Sequence, residues 1–187
     1  MGGGGGDSPT RLAGPTGCGL CGIESLAEAV RPAGRIGCDA PFDARCIPEA
    51  ITALASMQQL NHETRATHAA GFYRPGHRVV SIREDVGRHN ALDKLAGALR
   101  RQAVDVSGGA VVVTSRVSVE MVQKTASIGA PVLIAMSAPT ALAVRTAEAA
   151  NLKLIAVARE QSCKVFTHSW RLVAGTNRLP SMNVSTT

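Results

Sequence analysis

Three short runs in the second half of the chain, residues 110–114, 131–136 and 154–158, are apolar throughout but for the closing Thr114. A strand that is half-buried alternates apolar and polar residues, so a run with no alternation is covered on both faces. The stretches between these runs, 119–128 and 140–150, repeat apolar residues with a helical period. Strand, helix, strand, helix, strand in that order requires crossovers and therefore parallel pairs. The fold class expected is α/β, a layered mixed sheet with helices on its faces. The first half adds to it. Pro48 suits the first turn of a helix over 48–60, with Ile47, Ile51 and Leu54 on one side. Residues 67–73 and 78–83 flank Pro75-Gly76 and read as a hairpin. Residues 90–101 form a helix with Leu92, Leu95 and Leu99 inward. Aromatic residues make up only 3% of the chain, so the core is aliphatic.

A length of 187 residues suits one domain. A glycine-rich lead, 1–15, is expected to be disordered, with the domain over 16–187. The formal charge of +6 calls for an anionic partner, but the basic residues are scattered and not interleaved with aromatics. That pattern is weak evidence for nucleic acid, a phosphate-bearing small molecule fits as well, and no nucleic-acid partner is expected. No apolar run reaches membrane-spanning length and no signal peptide is recognisable, so neither a membrane nor export is expected. Five cysteines, an odd number, read as reduced thiols in the cytoplasm.

Cys18-Gly-Leu-Cys21 pairs two thiols between glycines, ahead of a short helix over 23–30. Such a pair can be a redox couple, half of a zinc site or a carrier of sulfur, and a helix start nearby favours the thiolate. Zinc has a candidate set in Cys18, Cys21, Cys38 and Cys46, although the second pair is eight residues apart where zinc ribbons place a tight one. The densest polar cluster is Arg83-Glu-Asp-Val-Gly-Arg88-His-Asn90, between a strand and a helix. Its amides at the helix start, with Arg83 and Arg88, would seat an anion; a capped turn with an Asp85–Arg88 surface pair is the plainer alternative. Thr114-Ser-Arg-Val-Ser118 repeats the arrangement, with Ser118 as an N-cap candidate, and Ser137-Ala-Pro-Thr140 reads as a cap. His68 is either a ligand or a structural histidine at a strand start. Cys163 taken alone reads as a buried, inert thiol.

Taken in order, GCGLCGIESL, THAAGFY, SIREDVGRHNALDKLAGAL, TSRVSVEMVQKTASIGAPVLIAMSAPTALAV and KVFTH resemble the formate dehydrogenase accessory sulfurtransferases, the FdhD family, over residues 16–172. The resemblance implies a cytidine-deaminase-like fold and a carrier that accepts persulfide sulfur from a cysteine desulfurase. The sulfur passes to the molybdenum cofactor of formate dehydrogenase, which needs it for activity. It implies that Cys18 bears the persulfide and Cys21 is its partner. It also implies that Cys163, Lys164, Val165, Phe166, Thr167 and His168 bind the bis-molybdopterin guanine dinucleotide form of that cofactor, as substrate and without a metal of the protein's own. A chaperone that binds the cofactor without relaying sulfur, and a structural zinc domain, are the other two readings. The family's segment ahead of the thiol motif is expected to be absent. Ala66 replaces the usual glycine before Thr67-His68, and Arg116-Val117-Ser118 stands where Arg-Ala-Ser is usual. Zinc deamination is excluded because the His-x-Glu and Pro-Cys-x-x-Cys pattern is missing. A homodimer is left open.

Overall fold

A computed structural model describes residues 33–173 and 183–186. The described chain opens with strand β1 (Phe42–Asp43), helix α1 (Cys46–Ser56) and the short helix α2 (Gln59–Thr64). The hairpin follows as β2 (His68–Arg74) and β3 (Arg78–Asp85), then α3 (Arg88–Arg101), β4 (Ala110–Val113), α4 (Val119–Ile128), β5 (Val132–Ala135), α5 (Ala141–Ala149) and β6 (Lys153–Ala156). Last come β7 (Ser162–Val165), a 3-10 turn at Ser169–Arg171, β8 (Leu172–Val173) and β9 (Asn183–Thr186). The main sheet has seven strands in the order β3-β2-β4-β5-β6-β7-β9, and β1 pairs with β8 apart from it. The β4, β5 and β6 pairs are parallel, while β2 is antiparallel to both β3 and β4. The expected mixed α/β sheet with helices on its faces is therefore the fold.

Alternation along β4 shows why the apolar runs had to be central. Val111 and Val113 enter a core with Leu92, Leu95, Met121, Val122 and Ala147, under α3, α4 and α5. Ala110 and Val112 enter a second core on the other face with Ile47, Ile51 and Leu54 of α1. Each fully buried Val, Leu or Ile contributes roughly 1.5–3 kcal/mol, so this doubly covered strand is a main source of stability. Entry to β4 is tight. A Cβ on Gly109 would lie 2.3 Å from Phe72 Cζ and 2.6 Å from the Tyr73 carbonyl oxygen, and only glycine allows that approach.

The expected helix over 48–60 is two helices. α1 begins at Cys46, which leaves Pro48 in the first turn, where its missing N–H costs nothing. The break at Gln58 comes from a distant residue. Glu84 on β3 accepts hydrogen bonds from the Leu60 and Asn61 amides, both at 2.9 Å, which a continuous helix would have bonded to earlier carbonyls. Strands β7 and β9 are additions to the sequence reading. β7 runs antiparallel to β6, and β9 parallel to β7.

Register collects the polar loops at one edge. His68 pairs with Asp85, and Ala70 with Val113, so the head of β2, the tail of β3 and the carboxyl ends of β4, β5 and β6 share that edge. The α3, α4 and α5 helices all start there and cover the same face. Among the described residues no helix is long and apolar enough to cross a membrane.

Candidate functional site

Strand geometry sends Glu84 and Asp85 to opposite faces. Glu84 caps α2 and also accepts from the Thr67 hydroxyl at 3.1 Å. Asp85 closes the turn into α3: Oδ1 accepts from the Gly87 amide at 2.8 Å and from Asn90 Nδ2 at 3.2 Å, and Oδ2 pairs with Lys94 Nζ at 2.5 Å. The Lys94 ammonium, then the Gly87 amide, hold its carboxyl down at about 2. The capped turn is therefore real, but Lys94 rather than Arg88 is the partner of Asp85. Arg83 shares the strand face of Asp85 but bonds to its own strand. Its Nη1 donates to the Ile82 carbonyl at 2.6 Å and to the Ser81 hydroxyl at 3.4 Å.

What the caps leave over is the chemically open part. Arg88 is the first residue of α3, and its Nε is buried without a hydrogen-bond partner, as is Nε2 of His89. Burial, and then the neighbouring Arg88 and Lys124 cations, hold the His89 imidazole below its ordinary pKa against the opposing pull of Glu120 and Asp93. The start of α4 matches this. Ser118 occupies the N-cap position, yet its hydroxyl donates to Glu120 Oε2 at 2.6 Å instead of accepting a backbone N–H. Glu120 Oε1 is buried and unpartnered. Ser115 is buried and donates to the Arg116 carbonyl at 3.1 Å, and Arg116 is exposed. Thr140 is the plain cap expected of it, accepting from the Ala143 amide at 3.1 Å. His68 is half-buried at the head of β2, opposite Asp85. The Lys124–Asp93 ion pair, 2.6 Å, ties α4 to α3, and beyond it the same seam opens into a cleft of about 500 Å³ floored by Leu99, Val104, Val106 and Ile128.

The C-terminal stretch lies elsewhere. Four strands separate β7 from β3, and because β7 runs antiparallel to β6, residues 166–168 leave at the opposite edge of the sheet. Arg83 and Arg88 and the 163–168 stretch are therefore two places, not one seat. Cys163 and Val165 point into the α1 core, and burial pushes the Cys163 thiol up to about 11, where it is inert. Lys164 is exposed, Phe166 is half-buried, and Thr167 donates to the Leu152 carbonyl at 2.6 Å while accepting from the Leu154 amide at 2.8 Å. His168 is buried in a left-handed conformation, φ 53°. Both of its ring nitrogens are unpartnered, with Glu148 Oε2 3.8 Å from Nε2. Around it stand two cations that the sequence reading did not single out. Lys153 is fully buried and donates to the His168 carbonyl at 2.8 Å; burial, then the Arg171 charge, bring it down to about 7. Buried Arg171 donates to the Asn151 carbonyl at 3.1 Å and to the Cys38 carbonyl at 2.8 Å.

Cys18 and Cys21 lie outside the described residues, as do the helix over 23–30 and the lead over 1–15. Cys38 packs against the core under α3, α4 and α5 and donates to the Ser107 carbonyl at 3.3 Å, whereas Cys46 packs against the α1 core. These two thiols of the zinc candidate set are thus turned to opposite faces of the sheet. Burial raises the Cys46 thiol, against the hydrogen bond from Tyr73. Among the described residues no group of three His, Cys, Asp or Glu side chains is placed to hold a metal.

Residues 6–173 match the model of the FdhD/NarQ family. A sulfur carrier protein FdhD from Agrobacterium fabrum is 52% identical over 163 residues, covering 87% of this chain and 60% of the relative. One from Cupriavidus necator is 53% identical over 166 residues, covering 89% and 58%. A solved structure from Desulfotalea psychrophila, described as a formate dehydrogenase accessory protein, superposes with a TM-score of 0.68 at 29% identity, covering 73% of this chain and 58% of that one. The chain spans about three fifths of the length of the curated relatives it matches.

Proposed function

The chain belongs to the FdhD/NarQ family, and on that premise we propose that it is a cytoplasmic sulfur carrier serving formate dehydrogenase, a sulfurtransferase that loads sulfur on Cys18. The observation that carries this reading is the family match, which runs through Cys18-Gly-Leu-Cys21. The Cys18 thiolate attacks the outer sulfur of a persulfide on a cysteine desulfurase. The S–S bond breaks, the desulfurase cysteine leaves as thiolate, and Cys18 holds the persulfide with no net oxidation. Release as sulfide needs two electrons. Cys21 supplies them by attacking Cys18 Sγ, closing a disulfide and expelling hydrosulfide toward the bound substrate, the bis-molybdopterin guanine dinucleotide cofactor of formate dehydrogenase.

Binding of that substrate is assigned to two places that the fold keeps apart. Arg88 and the helix starts at the carboxyl edge take one part of it. The stretch Cys163, Lys164, Val165, Phe166, Thr167 and His168 takes another, with Lys164 the exposed cation. Arg83 is assigned a supporting role at most, since its guanidinium bonds its own strand.

The test is sulfur loading. After incubation with a cysteine desulfurase and cysteine, mass spectrometry of the parent is expected to show one added sulfur atom on the Cys18 peptide, lost to thiol reductant. Cys18→Ala is expected not to load. Loading of that variant to the level of the parent would overturn the assignment.

A further inference from the structure

We propose that Glu120, with Arg88 and His89, forms a subsite that reads the amino-oxo edge of a pyrimidine-type ring, the edge that guanine and pterins share. The inference rests on the cofactor-binding reading above and assigns its specificity to named atoms. It starts from three buried side-chain atoms without a partner: Arg88 Nε, His89 Nε2 and Glu120 Oε1. Buried polar atoms are rarely left unmet, and each calls for an explanation.

Helix geometry puts two of the three, His89 and Glu120, on one seam. His89 stands one turn before Asp93 on α3, and Glu120 one turn before Lys124 on α4. Residues four apart lie on the same helix face. Asp93 and Lys124 meet at 2.6 Å, and both helices run from the same edge of the sheet. One turn toward that edge, His89 and Glu120 therefore face the same gap, and Arg88, next in the chain to His89, is close enough for its charge to act on the imidazole. That His89 responds to Glu120, Arg88, Lys124 and Asp93 together is consistent with this placement.

The set of open groups restricts what can enter. Glu120 is oriented by the Ser118 hydroxyl on Oε2 and keeps Oε1 open as an acceptor. Burial and the neighbouring cations disfavour the charged form of the His89 imidazole beside it. A phosphate oxygen placed there would meet a carboxylate, so the gap rejects a bare anion. A ring edge with adjacent ring N–H and amino donors satisfies the carboxylate, and its neighbouring carbonyl accepts from Arg88 Nε. Adenine presents a ring nitrogen acceptor in place of the N–H and is rejected by the same carboxylate.

Equilibrium binding to the full chain tests this with GDP, ADP, xanthosine diphosphate and 6-carboxypterin. The parent is expected to bind GDP, 6-carboxypterin or both, and to bind ADP on the order of tenfold more weakly or worse. Glu120→Gln trades one acceptor for a donor, so it is expected to lose on the order of tenfold or more for the ligand it reads. In the guanine case it is expected to gain xanthosine diphosphate, whose second oxo group accepts from the new amide. A loss confined to GDP identifies the nucleotide base as the source, and a loss confined to 6-carboxypterin identifies the pterin. Arg88→Lys, which keeps the charge and removes Nε–H, is expected to weaken the same ligand. If Glu120→Gln, folded as judged by its melting, binds all ligands like the parent, the gap holds only water; the inference falls and the cofactor-binding reading stands. If the parent binds neither GDP nor 6-carboxypterin, both fall.

Discussion

The two edges of the sheet solve the same problem, buried polar side chains, in opposite ways. At the carboxyl edge each carboxylate has a local partner: Glu84 caps α2, and Asp85 caps the turn into α3 and pairs with Lys94. The atoms left over there are mixed in kind, two on cationic or imidazole nitrogens and one carboxylate oxygen. At the amino edge the buried charges are of one sign. Lys153 and Arg171 bond to backbone carbonyls, and the nearest carboxylates, Asp39 and Glu148, stand exposed at 3.8 Å from Arg171 and His168. A mixed set of open donors and acceptors is selective, because few ligands complement all of it. A one-signed set holds backbone in place. Arg171 ties Cys38, and Asn151 ties the Ile36 carbonyl at 2.9 Å, so the segment arriving from the thiol motif is anchored at that edge.

The strongest way to break this contrast is at Lys153. Its folded pKa, about 7, lies below the ordinary 10.5. The unfolded chain binds more protons between those values, so stability rises with pH from about 7 to about 10.5, and below about 7 the full penalty of burying the charge remains. The gain is on the order of 2–4 kcal/mol after allowance for relaxation around the amine. Urea melts at pH 7 and pH 9.5 are expected to show it in the parent and not in Lys153→Met. Equal pH dependence in the two proteins would mean that the amino edge carries no charge strain.

At the carboxyl edge the contrast is sharpened by comparing two arginines. Arg88→Ala is expected to weaken GDP about tenfold or more, the loss of a charge-assisted bond. Arg83→Ala is expected to change it little, because its guanidinium already bonds the Ile82 carbonyl. Calorimetry decides this, and equal losses would restore Arg83 to the site. The smallest effect is expected at Asp85. Its depressed pKa, about 2 against 3.8, contributes stability that is present above about 3.8 and lost as pH falls through about 2. Asp85→Asn should lower the melting temperature at pH 7, converge with the parent near pH 2, and leave GDP affinity intact. A large loss of GDP binding would place Asp85 in the site instead of in the turn.

The sheet was legible because its signals are local. Apolar runs without alternation gave β4, β5 and β6, and Pro75-Gly76 gave the hairpin. The helix break at Gln58 was not legible, since the carboxylate that causes it lies 24 residues away from Leu60. Density of polar residues from Arg83 to Asn90 read as a binding loop, yet Glu84 and Asp85 serve as caps and only the Arg88–His89 end is open. Glu120 lies just beyond the Thr114–Ser118 loop, and Ser118-Val-Glu120, whose end residues bond to each other, is the signal that marks it. Lys153 was lost at a boundary. It falls one residue before the apolar run 154–158, and nothing in the sequence marks a lysine there as buried. Ser162-Cys163-Lys164-Val165 carries a period-two pattern that marks β7, which the resemblance to a ligand-binding stretch obscured.

Trp170 is the only tryptophan in the chain, 71% exposed on the 3-10 turn, with its ring edge-on to His168 at 5.0 Å between centroids. Indole emission from this protein is therefore light from a single address. It reports on the turn that follows the 163–168 stretch and on the ring packed against it. The amino edge thus comes with its own optical label, whereas the carboxyl edge is spectroscopically dark.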